Sequence, residues 1–142
     1  EKEAVRIGGG SNHRIGLFDM ILIKDNHVDF AGGIAAAVER AKAYCKENGK
    51  DLKIEQEVRN TDEIRQAIAA GVDRIMLDNF DPERTAEAVR IIRAEAPGVE
   101  IESSGGITLD TLRSYGEAGV DFVSVGALTH SVKGLDMSFK AC

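Results

Sequence analysis

The stretch Ala70-Gly71-Val72-Asp73, followed by the apolar run Ile75-Met76-Leu77, decides the fold of this chain. A glycine that ends a helical pattern stands directly before a short apolar run, which predicts a helix-to-strand connection. The same four residues recur as Ala118-Gly119-Val120-Asp121, ahead of Phe122-Val123-Ser124-Val125. This weak internal repeat indicates that strand–helix units follow one another along the chain.

Short apolar runs that are rich in β-branched residues predict five strands, at residues 21–23, 52–54, 75–77, 99–101 and 122–125. Helical patterns lie between them, and their ends are marked by capping residues. The first helix has an apolar face that includes Cys45 and ends at Asn48-Gly49. The second begins at Asn60, with Glu63 three positions on, and ends at Gly71. The third begins at Asp81 before Pro82, and the fourth begins near Thr108 and ends at Gly119. Because each helix returns the chain to the same edge, the strands should be parallel.

The strict alternation predicts an α/β fold, which either a barrel or an open sheet would satisfy. Five strands are too few to close an eight-stranded barrel. We therefore expect residues 1–142 to form an incomplete (β/α) barrel with parallel strands, or the later part of a barrel whose first strands lie upstream. The glycines at 8–10 should form a loop that enters it.

Composition narrows the functional classes. The net charge of −6 argues against a nucleic-acid surface, which would need a basic face. No apolar run approaches the roughly 20 residues of a membrane span, and the polar start is not a signal peptide, so we expect a cytoplasmic protein. Cys45 and Cys142 show no metal-binding or disulfide spacing, and we expect both to be reduced bystanders.

Polar residues follow each predicted strand, at the edge where parallel α/β folds bind ligands. The Ser104-Gly105-Gly106 turn before the helix expected at Thr108 could offer backbone N–H groups to a phosphate, and Gly126 could add a second set. Glu57 and Asp78 follow neighbouring strands, a placement suited to one Mg²⁺. Glu55 points to the same face as Glu57, so spacing alone does not choose between them.

Cationic residues would offset the negative net charge near this edge. Arg14 and Lys24, with His13, suit a small dicarboxylate, and an inward Lys24 directly after a strand would need a charged partner. His27 and His130 are more typical of turn or helix-cap histidines than of catalysts. No serine or cysteine is paired with a histidine–acid dyad.

Several ordered motifs resemble the quinolinate phosphoribosyltransferase family across nearly the whole chain. They are Gly8-Gly9-Gly10-Ser11-Asn12-His13-Arg14, Leu22-Ile23-Lys24-Asp25-Asn26-His27, Met76-Leu77-Asp78-Asn79-Phe80, Glu102-Ser103-Ser104-Gly105-Gly106 and Val125-Gly126-Ala127-Leu128-Thr129-His130. The resemblance implies an incomplete α/β barrel that uses Mg²⁺ to transfer a phosphoribosyl group from phosphoribosyl pyrophosphate to quinolinate, with decarboxylation, in a homodimer or a higher homo-oligomer. It also implies an upstream domain and an upstream Arg-Lys motif outside these 142 residues.

The resemblance implies a role for each matching residue. His13, Arg14 and Lys24 match positions that hold the quinolinate carboxylates, and Lys24, Glu57 and Asp78 match the catalytic set. Glu57 and Asp78 match positions around the metal, the ribose and the pyrophosphate, which favours Glu57 over Glu55 by analogy. The phosphate of the phosphoribosyl group is matched by Ser104, Gly105, Gly126 and His130.

Three alternatives stay open. The first is a paralogue with the same barrel that acts on another small acid. The second is a phosphate-binding barrel isomerase or lyase, which the two glycine turns fit but His13, Arg14 and Lys24 do not. The third is a truncated, non-catalytic copy that serves as an interaction module.

Overall fold

A computed structural model, which describes residues 1–131 and 133–140, contains one parallel five-stranded sheet in the order β1-β2-β3-β4-β5. The strands are β1 (Met20–Ile23), β2 (Lys53–Val58), β3 (Arg74–Asp78), β4 (Glu100–Ser104) and β5 (Phe122–Val123). The helices are α1 (Lys2–Ile7), α2 (Asp25–Ala31), α3 (Ile34–Glu47), α4 (Thr61–Ala70), α5 (Pro82–Glu95), α6 (Leu112–Glu117) and α7 (Ala127–His130). The sheet is open, as expected for part of a (β/α) barrel.

The core lies between one face of the sheet and the helices. It includes Ile54, Val58, Ile75, Leu77 and Ile101 from the strands and Val38, Ile64, Ala67, Ala88 and Ile92 from α3, α4 and α5. These side chains are almost completely buried. Cys45 is also buried, in agreement with its predicted place on the apolar face of α3, and Cys142 lies outside the described residues.

The predicted helix caps of α4 and α5 are confirmed. The side chain of Asn60 accepts the N–H of Glu63 at 2.9 Å, and α4 ends at Gly71 in the left-handed conformation. Asp81 accepts the N–H of Arg84 at 2.8 Å, with Pro82 as the first helical residue. These local bonds satisfy backbone groups that a helix end leaves free, which is why the sequence signals were sufficient.

The internal repeat has a structural basis. Asp73 accepts the N–H of Ile54 through its carboxylate at 2.8 Å and donates its own N–H to the Ile54 carbonyl at 3.0 Å. Asp121 makes the same two bonds to Ile101, at 2.7 and 2.9 Å. Each aspartate therefore ties the start of its own strand to the start of the strand before it.

Some predicted boundaries were wrong. The helix expected to start near Thr108 begins at Leu112, because residues 108–111 form a turn in which the Thr111 hydroxyl accepts the N–H of Thr108. That helix ends at Glu117. The second strand starts at Lys53 and continues to Val58, and the fifth is only two residues long. Helix α1 was not predicted, and the glycines at 8–10 form the loop that leaves it.

None of the helices described in the structure combines the length and the apolar character that a membrane crossing requires.

The face of the sheet opposite the helices carries many charged side chains. Side chains alternate along a strand, so the neighbours of the core residues point to this second face. It carries Glu55, Glu57, Arg74, Asp78 and Glu102, and we call it the inner face.

Candidate active site on the inner face of the sheet

Glu57 and Asp78 lie together near the carboxyl ends of β2 and β3. Glu57 is half-buried, and burial, followed by the nearby charge of Asp78, raises the pKa of its carboxyl above the ordinary value, while Lys24 acts in the opposite direction. The structure thus brings Lys24, Glu57 and Asp78 to one place, as the sequence predicted. Two carboxylates on neighbouring strands whose charges act on each other are a suitable donor set for one Mg²⁺.

Lys24 is exposed to solvent, and its charge acts on Glu57, so the ammonium lies near the predicted carboxylates without being buried. It is the residue that precedes α2, and its backbone N–H donates to Nδ1 of His27 at 3.0 Å. An exposed ammonium needs no buried partner, and it stays available to an anion that arrives from solvent. The prediction that His27 is a helix-cap residue is confirmed.

Two glycine turns and one histidine line a single open cavity of about 480 Å³. Its lining includes Ser104, Gly105 and Gly106 after β4, and Gly126 and His130 beyond β5. All four residues predicted to hold a phosphate are therefore gathered around one space. His130 packs close to Gly126, where an added Cβ would lie 2.8 Å from Nε2 of its ring.

Gly105 also has a structural reason to be glycine. Its φ is +102°, and a Cβ would lie 2.3 Å from Oδ1 of Asn79. Asn79 has a positive φ as well, and its N–H donates to the Ser104 carbonyl at 2.9 Å. Because α6 starts only at Leu112, backbone N–H groups of the turn, rather than the end of that helix, are the donors available to a phosphate.

His13 lies lower on the inner face than the strand ends, against the middle of the sheet. Its Nε2 is 2.6 Å from the carboxylate of Glu55 and 3.7 Å from that of Glu102. The bond to Glu55 is the largest cause that raises the pKa of His13 above its ordinary value. Glu55, which the resemblance set aside in favour of Glu57, therefore lies in direct contact with the predicted site residue His13.

A polar network surrounds this pair. Ser124 donates to Glu102 at 2.5 Å, and Arg74 reaches Glu102 at 3.3 Å and Glu100 at 2.8 Å. The Arg74 guanidinium also lies over the ring of Phe122. Burial, and then the charge of Glu55, raise the pKa of Glu102.

His13, Glu55 and Glu102 could in principle hold a metal, since their donor atoms lie within 4.8 Å of one another. Two features argue against that assignment. The imidazole is already hydrogen-bonded to Glu55, and the guanidinium of Arg74 supplies positive charge beside Glu102. Glu57 and Asp78 are therefore the better candidates for a metal.

Arg14 is half-buried, and its backbone carbonyl accepts a hydrogen bond from Lys2. The described ion pairs do not include its guanidinium, which leaves that group available for an anionic ligand. The structure shows no contact that joins Arg14 to Glu57, Asp78 or the glycine turns, among the residues that it describes. Its predicted role as a substrate ligand stays a prediction.

Comparison with known proteins decides the family. The family model of the quinolinate phosphoribosyl transferase C-terminal domain matches residues 1–140. The chain belongs to this family. An Arabidopsis thaliana relative named nicotinate-nucleotide pyrophosphorylase (carboxylating), chloroplastic, is 44% identical over 155 aligned positions, covering 99% of this chain and 44% of that protein.

Other members of the quinolinate phosphoribosyltransferase family agree. A Bacillus subtilis protein named probable nicotinate-nucleotide pyrophosphorylase (carboxylating) is 45% identical and covers 97% of this chain and 46% of its own length. The solved nicotinate-nucleotide pyrophosphorylase of Francisella tularensis is 50% identical with a TM-score of 0.83, covering 92% of this chain and 44% of that one. The chain spans about half the length of the relatives it matches.

Proposed function

We propose that the protein transfers a phosphoribosyl group from phosphoribosyl pyrophosphate to quinolinate and removes a carboxylate, which yields nicotinate mononucleotide, pyrophosphate and CO₂. The observation that carries this proposal is the grouping of Lys24, Glu57 and Asp78 at the strand ends of a family member. The cavity lined by the glycine turns lies beyond β4 and β5, the next two strands of the same parallel sheet. Mg²⁺, quinolinate and the phosphate of the phosphoribosyl group would therefore bind at one edge of the sheet.

His13, Arg14 and Lys24 are proposed to hold the two carboxylates of quinolinate. The guanidinium and the ammonium supply charge, and neither is neutralised by an ion pair among the described residues. A planar guanidinium can bind a carboxylate with two parallel hydrogen bonds, and a lysine acts as a mobile point charge. Together they allow an acidic protein to bind an acidic substrate.

Ser104, Gly105, Gly126 and His130 are proposed to hold the phosphate of the phosphoribosyl group. The turn after β4 contains two successive glycines with positive φ, at Gly105 and Gly106. Successive turn N–H groups of this kind form a concave anion site, and glycine lets the ligand approach the backbone closely. The hydroxyl of Ser104 and the ring of His130 would add side-chain donors.

Glu57 and Asp78 are proposed to hold Mg²⁺. Burial, and then the charge of Asp78, raise the pKa of Glu57. A divalent cation bound by both carboxylates would offset these two effects, so the donor set fits this ion. When bound, Mg²⁺ would neutralise the charge that develops on the departing pyrophosphate. Lys24 lies close enough to add positive charge at the same place.

The chemistry needs little beyond positioning. The ring nitrogen of quinolinate attacks the anomeric carbon as pyrophosphate leaves, through a transition state in which the ribose carries positive charge. The alkylated ring then acts as an electron sink, so the bond to the 2-carboxylate breaks and the carbon left behind takes up a proton. Lys24 and Arg14 would hold the second carboxylate in place and so keep the ring in register for both steps.

The assembly and the cellular location are part of the proposal. We propose a homodimer or a higher homo-oligomer that acts in the cytoplasm on small molecules, without nucleic acid as a partner. Exposed apolar side chains at Ile15, Leu17 and Phe18 offer a surface that another chain could cover. Sedimentation velocity of the purified protein would test the assembly.

The proposal is tested by identifying the product. The purified protein would be incubated with phosphoribosyl pyrophosphate, Mg²⁺ and one of several pyridine acids, and nucleotides would be analysed by mass spectrometry. We expect nicotinate mononucleotide from quinolinate and no nucleotide from nicotinate. A nucleotide formed only from a different acid would instead identify a paralogue with the same barrel.

A further inference from the structure

The buried carboxylate of Glu55 has no role in the proposed chemistry, although it is completely inaccessible to solvent. One of its oxygens is 2.6 Å from Nε2 of His13, and the other has no hydrogen-bond partner among the described residues. Burying a carboxylate is costly unless a charged or hydrogen-bonded partner compensates. Among the described residues, the His13 ring is the hydrogen-bond partner of this carboxylate, and the positive charge of Arg74 also acts on it.

We propose that Glu55 is a positioning residue that fixes the ring of His13, and through it the affinity of the enzyme for a carboxylate of its acid substrate. This inference rests on the proposed function. With Nε2 bound to Glu55, only Nδ1 of the ring remains to face a ligand. Nδ1 can donate to an anion only when the ring carries both protons, and a buried carboxylate beside Nε2 favours that state.

The surroundings of His13 support this role. The side chain is 25% exposed and borders a cavity of about 340 Å³, so one edge of the ring is open. The charged groups that act on it are Glu55 from β2, Glu102 from β4 and Arg74 from β3. Glu102 stands farther away, at 3.7 Å, and its carboxylate also accepts a hydrogen bond from Ser124 and forms an ion pair with Arg74. Glu55 is therefore the residue that orients the ring.

The test is a double-mutant cycle on the active enzyme, with Glu55→Gln, His13→Gln and the double variant. We expect Glu55→Gln to raise the KM for quinolinate roughly tenfold to a hundredfold, the range for the loss of a charged hydrogen bond. The KM for phosphoribosyl pyrophosphate should stay within about twofold. In the His13→Gln background Glu55→Gln should add nothing, since its effect passes through the ring.

The matched control is Glu100→Gln, another glutamate of the sheet that bonds Arg74 and Lys53 but not His13. It should leave the KM for quinolinate unchanged. A Glu55→Gln variant that raises both KM values equally, or whose effect adds fully to that of His13→Gln, would overturn the inference. Circular dichroism would show that each variant compared is folded.

A second readout does not depend on turnover. The ring nitrogens of His13 can be followed by NMR in the wild type and in Glu55→Gln, with His27 and His130 as internal references. We expect the Glu55→Gln change to alter the His13 signals and to lower the pH at which that ring titrates. Unchanged His13 signals would refute the positioning role, whereas changed signals in a protein inactive on quinolinate would refute only the proposed substrate.

Discussion

At the scale of single residues, the position of Lys24 suits it to bind a ligand rather than to stabilise the fold. It is exposed at the start of α2, directly after β1, and its charge acts on Glu57. Among the described residues its ammonium forms no ion pair, so Lys24 can be replaced without loss of packing. Its removal should therefore affect ligand binding and catalysis rather than folding.

Replacing Lys24 with Met should lower turnover by about a hundredfold, the usual cost of removing one electrostatic group from an active site. The thermal midpoint should stay close to that of the wild type. Steady-state kinetics would measure the effect, and Lys46→Met, at an exposed position in the last turn of α3, is the control. Wild-type turnover in Lys24→Met would remove Lys24 from the site.

His13 links the site to pH. Its pKa is raised in the folded protein, first by the hydrogen bond to Glu55, above an unfolded value near 6.5. A raised pKa means that the folded state holds the proton more tightly. The resulting stabilisation is fully present below about pH 6.5 and is lost as the pH rises through the folded value.

The wild type should therefore exceed His13→Gln in unfolding free energy by more at about pH 6 than at about pH 9. Urea denaturation would measure the unfolding free energies of the two proteins at each pH. Circular dichroism is the suitable signal, because the chain has no tryptophan for fluorescence. The pH-dependent part of the difference is the quantity that reports on the imidazole. An equal difference at the two pH values would contradict the interpretation of the His13–Glu55 contact.

At the scale of elements, the turn after β4 depends on a glycine that packs against a neighbouring turn. Gly105→Ala would place a methyl group against Asn79 at a backbone angle unsuited to alanine. We expect a loss of at least about 1 kcal/mol in unfolding free energy and weaker phosphate binding. Gly98→Ala, where nothing lies within 4 Å, is the matched control. Equal stability of the two variants would show that the turn adapts to a side chain.

The repeated aspartates give a second prediction at this scale. Asp73→Ala should lower the unfolding free energy by about 1 kcal/mol, because the N–H of Ile54 loses its hydrogen bond to the carboxylate. Asp121→Ala should cost more, since Arg93 also bonds that carboxylate at 2.7 Å. Chemical denaturation would compare both with Asp110→Ala at an exposed position. A smaller loss for Asp121→Ala than for Asp73→Ala would contradict this ranking.

Local signals explain which elements could be predicted from the sequence. Asn60, Glu63 and Gly71 lie within one helix and its caps, so their pattern is sufficient to place α4. The start of α6 could not be predicted, because Thr108 and Thr111 form a turn that resembles a helix start in sequence. Helix α1 has no buried residue, and so no apolar face that would reveal it.

At the scale of the whole molecule, the sheet gathers the site from distant parts of the chain. The parallel order of the strands could be predicted from the alternation of elements, and with it the meeting of Glu57 and Asp78 at one edge. The contact between His13 and Glu55 could not, since 42 positions separate these residues and His13 lies on no strand. Strand alternation predicted only that Glu55 and Glu57 share a face of the sheet. The loop that carries His13 onto this face distinguishes them, because His13 contacts Glu55.

The most direct test of the central claim is the stoichiometry of products on the purified protein with quinolinate, phosphoribosyl pyrophosphate and Mg²⁺. Pyrophosphate and CO₂ would be measured together, with nicotinate in place of quinolinate as the control. We predict that both are released one to one with quinolinate and that neither is released with nicotinate. A folded protein that releases neither product with quinolinate would contradict the account.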